Sequence, residues 1–267
     1  MITTGLSLLL VTIAGGVTLE LVGDRAVKNL SIILAFGGAY IMGLLFLHLV
    51  PEAFSYGTIA GSFVLVGFLL QILLEYISKG LEHGHVHVHV HGDHDHSNNT
   101  LPWAAFISLC LHAFLESMPL AEGTAEAANQ VLTMGYLNHN HVHVTATSAM
   151  DSALFIGLAF HKFPVALVLV SLIKSTSISV LKRWGLLVVF GLMPWFGMEL
   201  YDYIIHSSIS IPGGMNAFMA AIHGLVIGIL LHVATTVLFE SGDGHTFNFK
   251  KLMATLVGLS IAYFTLS

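Results

Sequence analysis

Residues 158–170 read LAFHKFPVALVLV, an apolar run that is broken by His161 and Lys162. A second apolar run, LCLHAFLESMPLAEG, contains His112 and Glu116. A charged side chain at the centre of a membrane helix is disfavoured by roughly 2.5–3.5 kcal/mol on insertion scales, so it is normally paired, bound to a metal or turned toward a polar path. We therefore expect both runs to cross a membrane, and we expect their ionisable residues to carry the function.

The whole chain has the composition of a polytopic membrane protein. Of its 267 residues, 55% are hydrophobic and 9% are charged, and the mean hydropathy is +0.84; soluble domains carry about 25% charged residues. Apolar stretches of about 17–25 residues, the length that spans a bilayer, cover 3–23, 29–54, 58–78, 102–121, 149–173, 183–204, 214–239 and 250–266. These spans predict an all-α protein with eight transmembrane helices, forming a single transmembrane domain over residues 1–267.

The positions of the basic residues support this count, because Lys and Arg near helix ends favour the cytoplasmic side. Eight of the nine lie in alternate connections, after spans 1, 3, 5 and 7, and the ninth is Lys162 inside span 5. The eight are Arg25, Lys28, Lys79, Lys174, Lys182, Arg183, Lys250 and Lys251. Both termini are therefore predicted to lie outside the cytoplasm, and we expect a multi-pass protein of the plasma or inner membrane.

The composition also argues against several other classes of protein. The net charge is −6 and there is no basic stretch, so no nucleic-acid partner is expected. The single cysteine, Cys110, excludes an internal disulfide framework. The first apolar run lacks a basic leader and a clear cleavage site, so it is interpreted as a retained span.

Histidine is concentrated in two predicted loops. The cytoplasmic loop, residues 80–100, contains HGHVHVHVHGDHDH, and a shorter cluster, HNHVH, lies in the extracytoplasmic loop, residues 122–148. The histidines of the first cluster are His83, His85, His87, His89, His91, His94 and His96. Neutral imidazole binds zinc, copper, iron and nickel. The long loop is interpreted as a weak, exchangeable metal-binding segment, with a solvated low-complexity linker as the alternative.

His112 and Glu116 are four residues apart, so an α-helix places them on one face, one turn apart. His161 lies about as deep in span 5 as His112 lies in span 4, and antiparallel spans would bring the three to one depth. A His–Glu–His set suits Zn²⁺ and also admits Fe²⁺, Mn²⁺ and Cd²⁺. Three protein ligands leave a site open enough to release its ion.

Each of the two spans also contains a proline, Pro119 in span 4 and Pro164 in span 5. A proline removes one backbone donor and disturbs the carbonyl one turn earlier, which for Pro164 is that of Phe160. Freed carbonyls are tolerated in a membrane where they line a cavity. Beside the ligand residues, cavity lining is favoured over a purely structural kink.

In these motifs and their order, the chain resembles the ZIP family of divalent metal transporters. The motifs are HAFLE at 112–116, HKFP at 161–164, LFLHLVPEAF in span 2 and IHGLVIGILLHVATTVLFE in span 7. The resemblance covers the whole topology. It implies transport of Zn²⁺ or a similar divalent cation toward the cytoplasm, with His112, Glu116 and His161 as the main transport site. No catalytic cofactor and no enzymatic activity are expected.

Three positions depart from the family pattern. Ala113 stands where many members have Asn or Ser, and Lys162 and Val165 stand where members with two metals have ligands. A second, bridged metal is therefore not expected. The ammonium of Lys162 is predicted to replace the charge of a second ion and to neutralise Glu116 in part. The alternative, that Lys162 reaches an interface, is disfavoured because its span extends about a dozen residues on either side.

Further polar residues suggest paths to and from the site. Candidates for the outer entrance are His48, Glu52, Glu199 and Asp202, with ordinary solvated helix ends as an equal alternative. Candidates for the exit are His232 and Glu240, where only the family resemblance favours an exit over a core histidine.

Two functions compete on the sequence alone. The first is a transporter that works by alternating access, with spans 1–3 and 6–8 as inverted repeats around spans 4 and 5, a 3+2+3 arrangement. The second is an intramembrane zinc hydrolase that uses Ser108 and His112, with Asp202 and His206 completing its site. The expected partners are the lipid bilayer and divalent metal ions, and the formation of a homodimer is left open.

Overall fold

A computed structural model of the protein describes residues 1–23, 30–78, 103–121, 145–207, 210–239 and 249–266, with the backbone alone at 145–152 and 239. Glu240 and the predicted His-rich loop 80–100 lie outside these ranges, as does most of the predicted loop 122–148 with its histidine cluster. Within the described ranges every regular element is helical, as predicted.

The long helices follow the predicted spans closely. They are α1 (Ile2–Val22), α2 (Leu30–Tyr56), α3 (Ala60–Ser78), α4 (Trp103–Leu115), α5 (Thr145–Lys174), α6 (Val180–His206), α7 (Gly214–Phe239) and α8 (Phe249–Leu266). In the described part of the chain, seven of these are long and apolar enough to cross a membrane. The all-helical, membrane-spanning character is thereby confirmed. At 13 residues α4 is shorter than a full span, so the count of eight spans stays a prediction.

Helix α2 contains a π-helical turn at Leu45–Leu49, between α-helical parts Leu30–Leu44 and Val50–Tyr56. The turn ends two residues before Pro51, which has no N–H to donate to the carbonyl of Leu47 one turn earlier. The N–H of Val50 bonds to the carbonyl of Leu45, five residues before it, as is typical of a π-helical turn. Such turns often occur at functional positions, and this one contains His48.

Small residues allow α2 to pack tightly on its neighbours. A Cβ atom at Gly43 would stand 2.5 Å from the Cβ of Ala262 in α8. A Cβ at Gly38 would stand 3.2 Å from Val237 in α7. Close backbone approach of this kind replaces the hydrophobic driving force that is missing between helices in lipid.

The helices pack as two groups. In the first group α1 packs against α5 and α6, and α4 packs against α6. In the second group α3 packs against α7, and α2 packs against α7 and α8. The groups meet mainly where α2 contacts α5 and where α3 contacts α4. The predicted 3+2+3 arrangement with inverted repeats stays a prediction, since packing alone does not reveal it.

An ion cluster ties the first group together at one end. Glu20 of α1 pairs with Lys174 at the end of α5, at 3.0 Å between Nζ and Oε2. The same carboxylate pairs with Arg183 near the start of α6. One carboxylate therefore links three helices, which favours their behaviour as a unit.

Candidate metal centre

The end of α4 positions Glu116. The amide of Glu116 still donates to the carbonyl of His112 at 3.0 Å, so the helical repeat from His112 to Glu116 is kept. The next turn tightens, with the N–H of Met118 donating to the carbonyl of Leu115 at 3.2 Å. Pro119 accounts for this change, because it has no N–H for the carbonyl of Leu115. The helix thus ends earlier than residue 121, where the predicted span ended.

Ser117 and Gly197 attach the end of α4 to α6. The hydroxyl of Ser117 lies 3.1 Å from the carbonyl oxygen of Pro194. At Gly197, any Cβ atom would collide with the carbonyl of Phe114. Backbone contact at this point fixes the position of Glu116, which directly precedes Ser117.

His112, Glu116 and His161 form one buried cluster, as predicted. Their exposed fractions are 2%, 0% and 5%. The Nε2 atom of His112 lies 3.1 Å from Oε2 of Glu116, and the rings of His112 and His161 have centroids 5.8 Å apart. The predicted common depth of the two histidines is therefore confirmed.

The cluster has the size of a metal site. One ligand atom from each of the three residues lies within 4.8 Å of the other two. Ligand atoms about 2.0–2.1 Å from a tetrahedral zinc stand roughly 3.3 Å apart, so a small inward rotation of His161 would complete the set. Among the described residues, this is the one group of three or more His, Cys, Asp or Glu side chains within such reach.

Lys162 supplies the positive charge next to this cluster. Its Nζ donates to Oε1 of Glu116 at 2.6 Å, and only 1% of the side chain is exposed. Nζ also lies 5.4 Å from the centroid of the Phe190 ring, within the range of a cation–π contact. The prediction that Lys162 faces Glu116 rather than an interface is confirmed. The two oxygens of the carboxylate thus have different neighbours, with Oε1 facing the ammonium and Oε2 facing His112.

Gln71 of α3 also contacts the cluster, and the sequence reasoning missed it. Its Oε1 lies 2.9 Å from Nδ1 of His112, and both side chains are buried. An amide oxygen only accepts, so Nδ1 carries the proton and the lone pair of neutral His112 is on Nε2, which faces Glu116. Gln71 could have been singled out from the sequence because it is the only amide side chain in the apolar helix α3.

The positions that depart from the family pattern are filled by apolar packing. Ala113 and Val165 are buried in the core that α4, α5 and α6 share. Neither side chain has a ligand atom. A second metal would therefore find no ligand at these two positions.

Pro164 lies inside α5, which continues through it. The carbonyl of Phe160, which this proline frees, faces α2 at Gly37, where a Cβ atom would stand 3.5 Å from the oxygen. The carbonyl thus lies where the two helix groups meet. Its predicted role in lining a cavity stays a prediction.

The four entrance candidates lie apart from the cluster and have local partners. His48 and Glu52 pair across one helical turn, at 3.4 Å between Nε2 and Oε2. Glu199 accepts from the indole N–H of Trp195 at 2.9 Å. Asp202 pairs with His206, at 3.2 Å between Oδ1 and Nδ1. An entrance role for these residues stays a prediction.

Of the two exit candidates, His232 of α7 is hydrogen-bonded to Glu75 of α3, a contact that was not predicted from the sequence. The edge of the Phe68 ring packs on His232, with ring centroids 5.0 Å apart. Gln71 and Glu75 are one turn apart on α3. Through these two side chains, α3 contacts His112 of α4 at one position and His232 of α7 at the next.

The residues of the competing hydrolase hypothesis have other contacts. The hydroxyl of Ser108 donates to the carbonyl of Leu74 in α3 at 2.8 Å. Asp202 and His206 pair with each other near the end of α6, and neither belongs to the cluster around His112. In this arrangement Ser108 serves the contact between α3 and α4.

Comparisons with known proteins give no family assignment. Neither a family model nor a curated protein matches this chain. The resemblance to ZIP transporters therefore rests on the motifs alone.

Proposed function

We propose that this protein transports a divalent metal cation, foremost Zn²⁺, across a membrane toward the cytoplasm, in the manner of the ZIP family. The observation that carries this proposal is the buried His112–Glu116–His161 cluster in apolar helices. Lys162 already pairs with Oε1 of Glu116, but Oε2 of the same carboxylate faces Nε2 of His112 at 3.1 Å. Two buried acceptor atoms that face each other are unfavourable without a cation between them. A cation that binds there and leaves again accounts for all three residues.

Transport is favoured over permanent metal binding by the number of ligands. Structural zinc sites are closed by four protein ligands, whereas this cluster offers three. An open position allows ligand exchange, and transport needs binding that is strong enough for entry and weak enough for release.

The location of the cluster supports alternating access. All three ligands and Lys162 lie on α4 and α5, in the first helix group, whereas Gln71 contacts them from the second group. A site at the boundary of two rigid groups can be opened to either side by their relative movement. His48 and Glu52 are proposed for the outer path, and Glu75 and His232 for the inner path.

The direct test is uptake of radioactive zinc by liposomes that contain the purified protein. We expect saturable uptake above that of protein-free liposomes, with competition by Cd²⁺, Fe²⁺ or Mn²⁺ reporting the selectivity. Repeating the assay with an imposed pH gradient tests whether protons are coupled. Uptake equal to that of protein-free liposomes under every condition would refute the proposal.

Ser108→Ala separates the transporter from the hydrolase. In a transporter this change removes one neutral hydrogen bond between α3 and α4, worth about 0.5–1.5 kcal/mol. We expect zinc uptake to stay above about half of the wild-type rate, given that energy. A hydrolase that uses the Ser108 hydroxyl would lose its activity completely. Loss of uptake at normal protein levels would contradict this assignment.

Deletion of residues 83–96 is expected to modulate uptake without abolishing it. From the sequence, this segment is interpreted as a weak, exchangeable metal-binding loop outside the membrane, so its loss should change the zinc dependence of uptake but leave transport intact. A matched control replaces its seven histidines with serine and keeps the length of the loop. Complete loss of uptake in the serine variant would make the loop an essential part of the path.

A further inference from the structure

Among the described residues, Gln71 and Leu74 of α3 each accept a hydrogen bond from α4, and the bond to Gln71 comes from a proposed metal ligand. Gln71 Oε1 and His112 Nδ1 are 2.9 Å apart, and the side chain of Gln71 is fully buried. The second bond joins the Ser108 hydroxyl to the carbonyl of Leu74 at 2.8 Å, and it is buried as well. The two bonds therefore resemble each other in length and burial. They differ in that the first orients the ring of His112, whereas the second involves no proposed ligand.

The Gln71 bond decides which nitrogen of His112 can bind a metal. A neutral imidazole has one N–H and one lone pair, and an acceptor on one nitrogen places the proton there. With the proton on Nδ1, the lone pair is on Nε2, which lies 3.1 Å from Oε2 of Glu116. The other tautomer would direct an N–H at the site and would have to be converted before an ion could bind.

We propose that Gln71 is a positioning residue of the transport site, which keeps His112 in the tautomer that binds metal. This inference rests on the proposed function. Outer partners of this kind orient ligating histidines and raise their basicity, and their loss commonly lowers metal affinity by 10- to 100-fold.

The position of Gln71 adds a consequence for transport. Gln71 belongs to the second helix group and His112 to the first, so their hydrogen bond exists only while the groups are arranged as in this structure. Movement of one group past the other separates Gln71 from His112. Metal affinity thus depends on the single hydrogen bond between Gln71 and His112.

The test compares Gln71→Leu with Ser108→Ala as the matched control, in purified full-length protein. Zinc affinity is measured by calorimetry, and the His112 tautomer by ¹⁵N spectroscopy of protein with labelled histidine, with the His112 signal identified by its absence in His112→Asn. For Gln71→Leu we expect a 10- to 100-fold weaker Kd and a loss of the Nδ1–H form. For Ser108→Ala we expect the wild-type tautomer and a Kd within about threefold, since no ligand is touched.

Gln71→Glu is the rescue variant, because its carboxylate oxygen is also an acceptor for Nδ1–H. We expect it to retain the wild-type tautomer and to bind zinc at least as tightly as the wild type. If Gln71→Leu does not fold, Gln71→Ala takes its place, since it also removes the acceptor.

The outcomes are distinct. An unchanged tautomer and Kd in Gln71→Leu overturn the inference, and so does an equal loss of affinity in Gln71→Leu and Ser108→Ala. Wild-type protein that binds no zinc overturns the proposed function together with this inference. Zinc-binding wild-type protein with an unaffected Gln71→Leu variant overturns the inference alone.

Discussion

Replacing both His112 and His161 with alanine is expected to reduce metal uptake to the background level. The double change removes two of the three ligands and leaves Glu116, one oxygen of which already accepts from Lys162. A single remaining carboxylate oxygen cannot hold a borderline ion such as Zn²⁺, which takes at least three protein ligands in its known sites. Either single change should lower uptake strongly as well, by at least roughly tenfold, since each removes one of three ligands.

The measurement is metal accumulation in cells that express the variant, normalised to the amount of protein in the membrane. His223→Ala provides the matched control. His223 is also a buried histidine of an apolar helix, with 1% exposed, but its Nδ1 bonds to the carbonyl of Met219 at 2.9 Å and it is not part of the cluster. Metal accumulation that survives the double change would show that the site has been assigned to the wrong residues.

Replacing Lys162 with methionine is expected to tighten metal binding and to slow transport. In the proposed mechanism, the ammonium of Lys162, which donates to Glu116, would compete with the metal for this carboxylate and would repel the ion itself. At an effective dielectric constant of about 20, two unit charges about 5 Å apart interact by roughly 3 kcal/mol. Removal of this repulsion should lower the Kd by at least about tenfold, and slower release should lower the maximal uptake rate.

The same change should make the metal-free protein less stable. Removing one partner of a buried ion pair leaves an uncompensated charge and commonly destabilises a protein by about 3–5 kcal/mol. Zinc would then compensate Glu116, so the melting temperature of Lys162→Met should rise far more on addition of zinc than that of the wild type. The measurement is thermal unfolding of the purified protein with and without zinc.

The double variant Glu116→Gln with Lys162→Met separates the two effects. With both charges removed, the stability of the metal-free protein should recover in large part, whereas zinc should no longer raise the melting temperature. If Lys162→Met binds zinc more weakly than the wild type, the ammonium supports the ion in some other way, and its interpretation as a substitute for a second metal is wrong.

The ligand cluster could be predicted from the sequence because its determinants are local. His112 and Glu116 share a helix face through the helical repeat, and the hydrophobic spans placed His161 at a matching depth. Lys162 could be assigned to the interior because a charge far from both ends of an apolar helix has no interface within reach. The same local argument anticipated the disturbance at Pro119, although it did not predict that α4 would end at Leu115.

The contacts of Gln71, Glu75 and His232 could not be predicted in this way. Gln71 is 41 residues from His112, and Glu75 is 157 residues from His232. Helical periodicity states which side chains share a face, but it does not state which neighbouring helix that face meets. In a membrane, that choice depends on close backbone packing at small residues such as Gly197 and Gly43, rather than on hydrophobicity, which is similar on all sides of a helix in lipid. The members of the cluster could therefore be predicted from the sequence, whereas their contacts with α3 depend on how the helices pack.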